Sequence, residues 1–442
     1  MKFFRSLKKI LPILALTFGV FLFFSFEQTN VKADTTLPEN TDSSLQINAK
    51  AAISVDANTG QILYAKNADQ ALPVASMSKL LTAYMVLQAV HNGKLKWDQK
   101  ITPDKAAQEV SQDTTLSNVP LKEGQSYTVK SLYQATLIYS ANGAAMALAD
   151  AVSGTQKNFI DQARKEAKKM GLKDFEFYTA NGLSNGEVKD GKYPGASDDA
   201  ENKFSARDMA ILSQRLIKDY PEVLDTTKIK RMKFANGTDE TQMENWNWML
   251  PGLAKAYSQL PVDGLKTGTS DSAGACFAAT VNKDGHRLIT IILGAKHDSQ
   301  EDLTRFEETQ KLMSYSYNNY TYTTLNKNMT FKKQNTLPVY HGKDLDVKVK
   351  SGQKENLWLK SGVTTSNLTA KAVGNKKLYK KDGLEAPLKK DQQVGQLQIK
   401  ANGQQLYFLN GDNYLTVSAT TTKEVKKANI FVIGWRALMN LF

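Results

Sequence analysis

The sequence predicts an α+β fold in three parts, and three observations carry that prediction. Residues 45–319 place strand-like segments at both ends and helix-periodic segments between them. Residues 320–421 break into short alternating segments separated by Gly, Asn and Lys, the pattern of a small all-β domain. Residues 422–442 carry one amphipathic pattern of helical period. With 442 residues the chain is long enough for several domains and a sizeable core.

The first 33 residues read as a secretory signal. Lys2, Arg5, Lys8 and Lys9 precede an apolar run over 10–26, and Val31-Lys32-Ala33 ends on a small residue before Asp34. An uncleaved N-terminal anchor is the alternative, and either way the bulk of the chain is exported. Residues 34–44 are polar and read as a flexible lead-in.

In the first large domain, segments 52–55 and 61–65 flank a turn at 58–60 and suggest a hairpin. Residues 76–90 set Leu80, Leu81, Tyr84, Leu87 and Val90 at helical spacing. Further helices are expected over 129–138, 143–152, 206–217 and 303–315. Strands are expected over 276–281 and 288–293, joined by the Lys283-Asp284-Gly285 turn. The first hairpin and these last strands should share one sheet. In the second domain, strands are expected at 347–349, 357–359, 397–399, 406–408 and 414–417, with a Thr-rich linker over 416–422. The final helix would show Val425, Ala428, Phe431, Val432, Trp435, Leu438, Met439 and Phe442 on one face, with Lys426, Asn429, Arg436 and Asn440 opposite and Ile433 intruding. Its apolar part is too short to span a bilayer of about 30 Å. A membrane-surface helix fits the pattern, and packing on the protein's own core is the alternative.

The net charge of +13 is uneven: −3 over 34–319, +9 over 320–421 and +3 over 422–442. No nucleic-acid motif accompanies the basic part, so an anionic membrane or wall polymer is the more natural partner. The single cysteine, Cys276, excludes an internal disulfide framework and lies in an apolar run that reads as core. Four histidines show no metal-ligand spacing, and no metal or cofactor is expected.

Three short motifs carry the chemistry. Ser76 and Lys79 are three apart at the start of the first strong helix and share a face. Ser140-Ala141-Asn142 lies between two helices, and Lys266-Thr267-Gly268 opens the later strand region. A serine hydroxyl needs a base to become a nucleophile. Lys79 can be that base where desolvation and a nearby Lys266 depress its pKa. The Ser76 and Thr269 backbone N–H groups are the candidate oxyanion donors. Ser140 would relay a proton to the leaving amine. Asn142 would orient Lys79 and donate to a substrate amide. Lys266 would add positive potential for a carboxylate, and Gly268 would let the strand approach a ligand. Capping and solvated-surface roles explain each motif alone, but not all three in this order.

The motif set resembles that of the low-molecular-mass penicillin-binding proteins, the serine D-alanyl-D-alanine carboxypeptidases. The similarity runs from about Ala51 to Phe442 and includes Ala180-Asn181-Gly182-Leu183 and the segments 204–209 and 262–268. It implies a β-lactamase/transpeptidase-like catalytic domain over 45–319, an all-β domain over 320–421 and an amphipathic anchor over 422–442. It also implies removal of the terminal D-alanine from peptidoglycan pentapeptide stems, inhibition by β-lactams, and a place on the outer face of the cytoplasmic membrane. Ser76, Lys79, Ser140 and Asn142 inherit catalytic roles by motif; Lys266, Thr267, Gly268 and Thr269 inherit substrate-binding roles. Arg305 approximately matches a family arginine that recognises the terminal carboxylate, and some relatives carry His in place of Thr269. A serine β-lactamase is the nearest rival, yet no Glu-x-x-x-Asn loop follows the second motif. A non-catalytic wall-peptide-binding protein is the other alternative, and the intact motifs speak against it.

Overall fold

A computed structural model describes residues 45–236, 239–299, 302–333 and 335–439. The expected signal segment and lead-in lie outside the described residues, as do Asn440 and Phe442. The described chain opens with the hairpin β1 (Ala51–Asp56) and β2 (Ile62–Lys66). Helices α1 (Lys79–His91), α2 (Lys105–Gln112), α3 (Val129–Ile138), α4 (Asn142–Ser153), α5 (Gln156–Met170), α6 (Ala206–Asp219) and α7 (Val223–Thr227) follow. A hairpin of β3 (Arg231–Asn236) and β4 (Asp239–Glu244) leads to β5 (Val262–Ser270), β6 (Gly274–Lys283) and β7 (His286–Ala295), and α8 (Thr304–Asn319) closes the domain.

As expected, the first hairpin and the last strands share one antiparallel sheet, in the order β5-β6-β7-β1-β2. Alternate residues point to opposite faces of a strand. Ala51, Ile53, Val55, Ile289 and Ile291 join the core built with α1, α4 and α6. Ala52 and Ile292 face the other way, onto Leu312 and Tyr315 of α8. Covering both faces explains why β1 is buried at every position. Helices α1 and α4 are buried nearly all round, so they lie inside the domain rather than on its surface.

The C-terminal domain is all-β. Its strands are β8 (Tyr320–Leu325), β9 (Thr336–Tyr340), β10 (Asp346–Ser351), β11 (Glu355–Lys360), β12 (Leu368–Gly374), β13 (Tyr379–Lys380), β14 (Gly383–Glu385), β15 (Gln393–Ala401) and β16 (Leu415–Thr421). Seven of them form a sheet in the order β12-β15-β16-β10-β9-β14-β13, while β8 pairs with β11. That second pair docks on the catalytic domain. Trp358 of β11 donates its indole N–H to Asp56 (2.8 Å), and its backbone exchanges two hydrogen bonds with the Gln61 side chain.

Three expectations for this half are corrected. The Thr-rich stretch 416–422 is not a linker: its β-branched residues build β16, with Thr421 fully buried. Residues 406–408 form no strand, because Tyr407 and Leu409 hydrogen-bond to the first hairpin instead. Val425 and Ala428 do not belong to the terminal helix. Val425 pairs with Leu388 and is buried in the β-domain core, and α9 begins later (Ile430–Met439).

Candidate active site

Ser76 does not sit in α1. It occupies a 3-10 turn, Ala75–Ser78, and Lys79 opens the α-helix behind it. The turn is held by backbone crowding from two sides. Gly182, at φ +85°, presses on the Ala75 carbonyl, which an added Cβ would meet at 2.1 Å. Gly268 of β5 presses on the Val74 carbonyl, which a Cβ there would meet at 2.3 Å. Gly268 thus packs its backbone on the serine turn and also lines the cleft beside it. Ala75 itself has φ +46°, a conformation costly for a residue with a side chain. The surrounding packing must therefore fix it.

Behind the turn, Lys79 is fully buried. Its Nζ lies 2.8 Å from Ser76 Oγ and donates to Asn142 Oδ1 (2.7 Å) and to the Asn181 carbonyl (2.6 Å). Burial, and next the charge of Lys266, hold its pKa well below the ordinary lysine value. Asn142 opens α4, whose first N–H groups, of Asn142 and Gly143, donate to Asn118 Oδ1 (3.1 and 3.0 Å), so neither Asn142 nor Ser140 is there as the cap. The Asn142 amide Nδ2 donates one of its two N–H groups to the Ser117 carbonyl (3.1 Å). Ser140 is buried at φ +61°, at the corner between α3 and α4. Trp246 fixes the same corner, donating its indole N–H to the Tyr139 carbonyl (3.2 Å).

The opposite wall is β5. Lys266 is 2 % exposed and donates to the Thr267 carbonyl at 2.8 Å. Burial, with the charge of Arg305 second, pushes its pKa down to about 7. Arg305, in the first turn of α8, donates to the Gly268 and Cys276 carbonyls (3.0 and 3.3 Å). Its Nε is buried with no hydrogen-bond partner among the described residues. Ser76, Ser140, Thr267, Thr269 and Arg305 line one cleft of about 360 Å³. The three motifs and Arg305 thus converge from four separate stretches of chain. Among the described residues, no group of His, Cys, Asp or Glu is placed to hold a metal ion.

Residues 38–297 match the family described as D-alanyl-D-alanine carboxypeptidase. The chain belongs to that family. Residues 318–427 match a second description, the C-terminal domain of penicillin-binding protein 5. The D-alanyl-D-alanine carboxypeptidase DacC of Escherichia coli K12 is 33% identical over 372 residues, 83% of this chain and 84% of that protein. The peptidoglycan synthesis regulatory factor PBP3 of Streptococcus pneumoniae superposes with TM-score 0.69 at 32% identity, covering 86% of this chain and 100% of that one. Penicillin-binding protein D2 of Listeria monocytogenes, solved in its ampicillin-bound form, shows 34% identity over 62% of this chain and 99% of that one, at TM-score 0.50. The activity of this D-alanyl-D-alanine carboxypeptidase is therefore serine-type release of a terminal D-alanine. Sequence reasoning marked Asn181 and Gly182 only as part of a family-like stretch and gave neither them nor His297 a role. Asn181 contributes a carbonyl, Gly182 an absence of side chain, and His297 an imidazole on the rim.

Proposed function

We propose that Ser76 is the nucleophile of this carboxypeptidase and Lys79 its general base, acting on peptidoglycan pentapeptide stems. One observation carries the assignment: the contacts of the Lys79 amine. A neutral amine has two N–H groups and one lone pair. Asn142 Oδ1 and the Asn181 carbonyl can only accept, so they take both N–H groups. The lone pair then falls to the remaining neighbour, the Ser76 hydroxyl, which can donate.

In the forward step Ser76 Oγ attacks the carbonyl of the penultimate D-alanine as its proton passes to Lys79. The oxyanion is held by the N–H groups of Ser76 and Thr269. Lys79, with Ser140 as relay, returns the proton to the leaving amine as the peptide bond breaks, and D-alanine departs. Water, deprotonated by Lys79, then hydrolyses the acyl-enzyme. Lys266, Thr267 and Arg305 hold the terminal carboxylate. A β-lactam carboxylate and carbonyl fit the same groups, leaving Ser76 acylated. The test is labelled penicillin and a D-Ala-D-Ala peptide offered to Ser76→Ala. Neither labelling nor D-alanine release should remain, and labelling at a comparable rate would sink the assignment. Rapid penicillin turnover by the unaltered enzyme would favour a β-lactamase instead.

We infer further that α9 seats the protein on the outer face of the cytoplasmic membrane. No described helix is long and apolar enough to cross a membrane. Phe431, Trp435, Leu438 and Met439 are exposed together, whereas Ile433 is half-buried and Arg436 donates to the Gly342 and Lys343 carbonyls. Complete burial of such apolar side chains is worth about 1.5–3 kcal/mol each, and interfacial insertion a part of that. Because Val425 belongs to the β core and Ala428 is bonded to His341, the truncation that tests this starts at Ile430. Removing residues 430–442 should release an active enzyme from membranes; sedimentation of the truncated, signal-cleaved protein with membranes would place the anchor elsewhere.

A further inference from the structure

The C-terminal domain carries a second built surface, remote in sequence from the catalytic motifs. Strands β12, β15 and β16 bury one face and leave the other polar. Thr369 and Lys371 of β12, Gln398 and Lys400 of β15, and Thr416 of β16 point outward. The registers Thr369↔Lys400, Lys371↔Gln398 and Gln398↔Thr416 make these side chains neighbours on one face. Lys333, Asn413 and Tyr414 raise a rim around them, and the groove encloses about 590 Å³.

Lys333, Lys371 and Lys400 are exposed, and none pairs with a carboxylate among the described residues. Other lysines of the domain do, as in Lys350–Asp391 and Lys423–Asp344. Asp412, the residue before Asn413, is engaged by Asn410 and Tyr414. Lys371 and Lys400 are diagonal neighbours, and like charges so placed repel. Defence of a sheet edge does not account for them, because β15 is an interior strand and the Lys332 backbone already covers β12 at Ala370.

We propose that this groove binds a phosphodiester-linked polyol chain of the cell envelope. The domain's excess of +9 over 320–421 comes from lysine with no arginine. Lysine acts as a compact point charge on a flexible stem, which can meet successive phosphates along a chain without the fixed bidentate geometry of arginine. Gln398, Asn413, Thr369 and Tyr414 supply the donors and acceptors that hydroxyl groups need. The inference does not depend on the catalytic assignment.

The test is titration of the full-length protein, in detergent, with poly(glycerol phosphate). The K333Q/K371Q/K400Q variant should bind at least about tenfold more weakly and lose about two to three units of log–log salt slope, one counterion contact per lysine. K354Q/K381Q/K423Q, which removes the same charge elsewhere in the domain, should change affinity by less than about twofold. Release of D-alanine from a soluble peptide should be unchanged in both variants. Equal weakening in the two variants, no binding by the unaltered protein in 50 mM salt as a roughly physiological-or-lower condition, or equally tight binding of polyglutamate or neutral dextran would overturn the proposal. So would a loss of peptidase activity confined to K333Q/K371Q/K400Q, which would tie the groove to the cleft.

Discussion

The two halves of the molecule use lysine in opposite ways. In the catalytic domain Lys79 and Lys266 are 0% and 2% exposed, and each is pressed towards its neutral form by burial before any neighbouring charge acts. In the β domain Lys371 and Lys400 stand in water on a sheet face. The same side chain is drawn towards its neutral form where the fold denies it solvent and stays solvated where the fold leaves it wet. Burial, not residue type, separates the two roles.

The sharpest way to break this contrast is Lys79→Ala. Acylation by labelled penicillin should fall by about 10²–10⁴-fold. Lys79→Arg should not restore it, because a guanidinium keeps its proton. Normal labelling of either variant would move the base elsewhere. Gly182→Ala attacks the packing that holds the serine turn. Its Cβ would sit 2.1 Å from the Ala75 carbonyl, so the turn must shift, and kcat/KM should fall by roughly 10²-fold. Unchanged kinetics with an unchanged melting temperature would show that the turn needs no such support.

Arg305→Ala should cost a smaller, roughly ten- to hundredfold factor in kcat/KM on a peptide with a free carboxylate, the scale of one charged hydrogen bond. The loss should vanish on the C-terminal amide of the same peptide; an equal loss on both would demote Arg305 to a structural role. Lys266 gives a pH signature of similar size. With its pKa near 7 in the free enzyme, its charge disappears as pH rises, and about a tenth remains at pH 8. A bound carboxylate restores that charge. So kcat/KM should fall above pH 7 while kcat stays level, since only kcat/KM reports the free enzyme. A shared fall in both would assign the limb to another group. The smallest effect belongs to the wet lysines: Lys371→Gln or Lys400→Gln should leave thermal stability within about 0.5 kcal/mol.

Much of this organisation was legible in the sequence where a period or a motif spans several residues. The shared sheet followed from apolar runs at both ends of the domain, and α3 falls on its expected residues because Thr128 caps it cleanly. The candidate site residues were legible because three motifs occur in order, and the fold brings them to one cleft. What escaped had no side-chain signal. Asn181 acts through a carbonyl that every residue possesses, and Gly182 acts through a missing Cβ. His297 is a single residue on a loop, with no spacing to mark it. Helical periodicity also carried the last helix too far back, since Val425 and Ala428 fit the wheel although Val425 lies in the β core and the Ala428 N–H bonds to the His341 carbonyl. Thr-rich residues 416–422 read as polar linker because composition cannot show that Val417, Ala419 and Thr421 alternate onto a buried face.

The docking of Trp358 reaches beyond geometry. Its indole and backbone bond to Asp56 and Gln61, and its ring joins Leu63, Phe277 and Met313 in one apolar cluster. The first hairpin, the active-site sheet and the β domain therefore share a core that none can expose alone. Heating should not melt the β domain away from a surviving enzyme; the two should absorb heat together, in one transition. Trp358→Ala, by removing the shared ring, would let calorimetry resolve two.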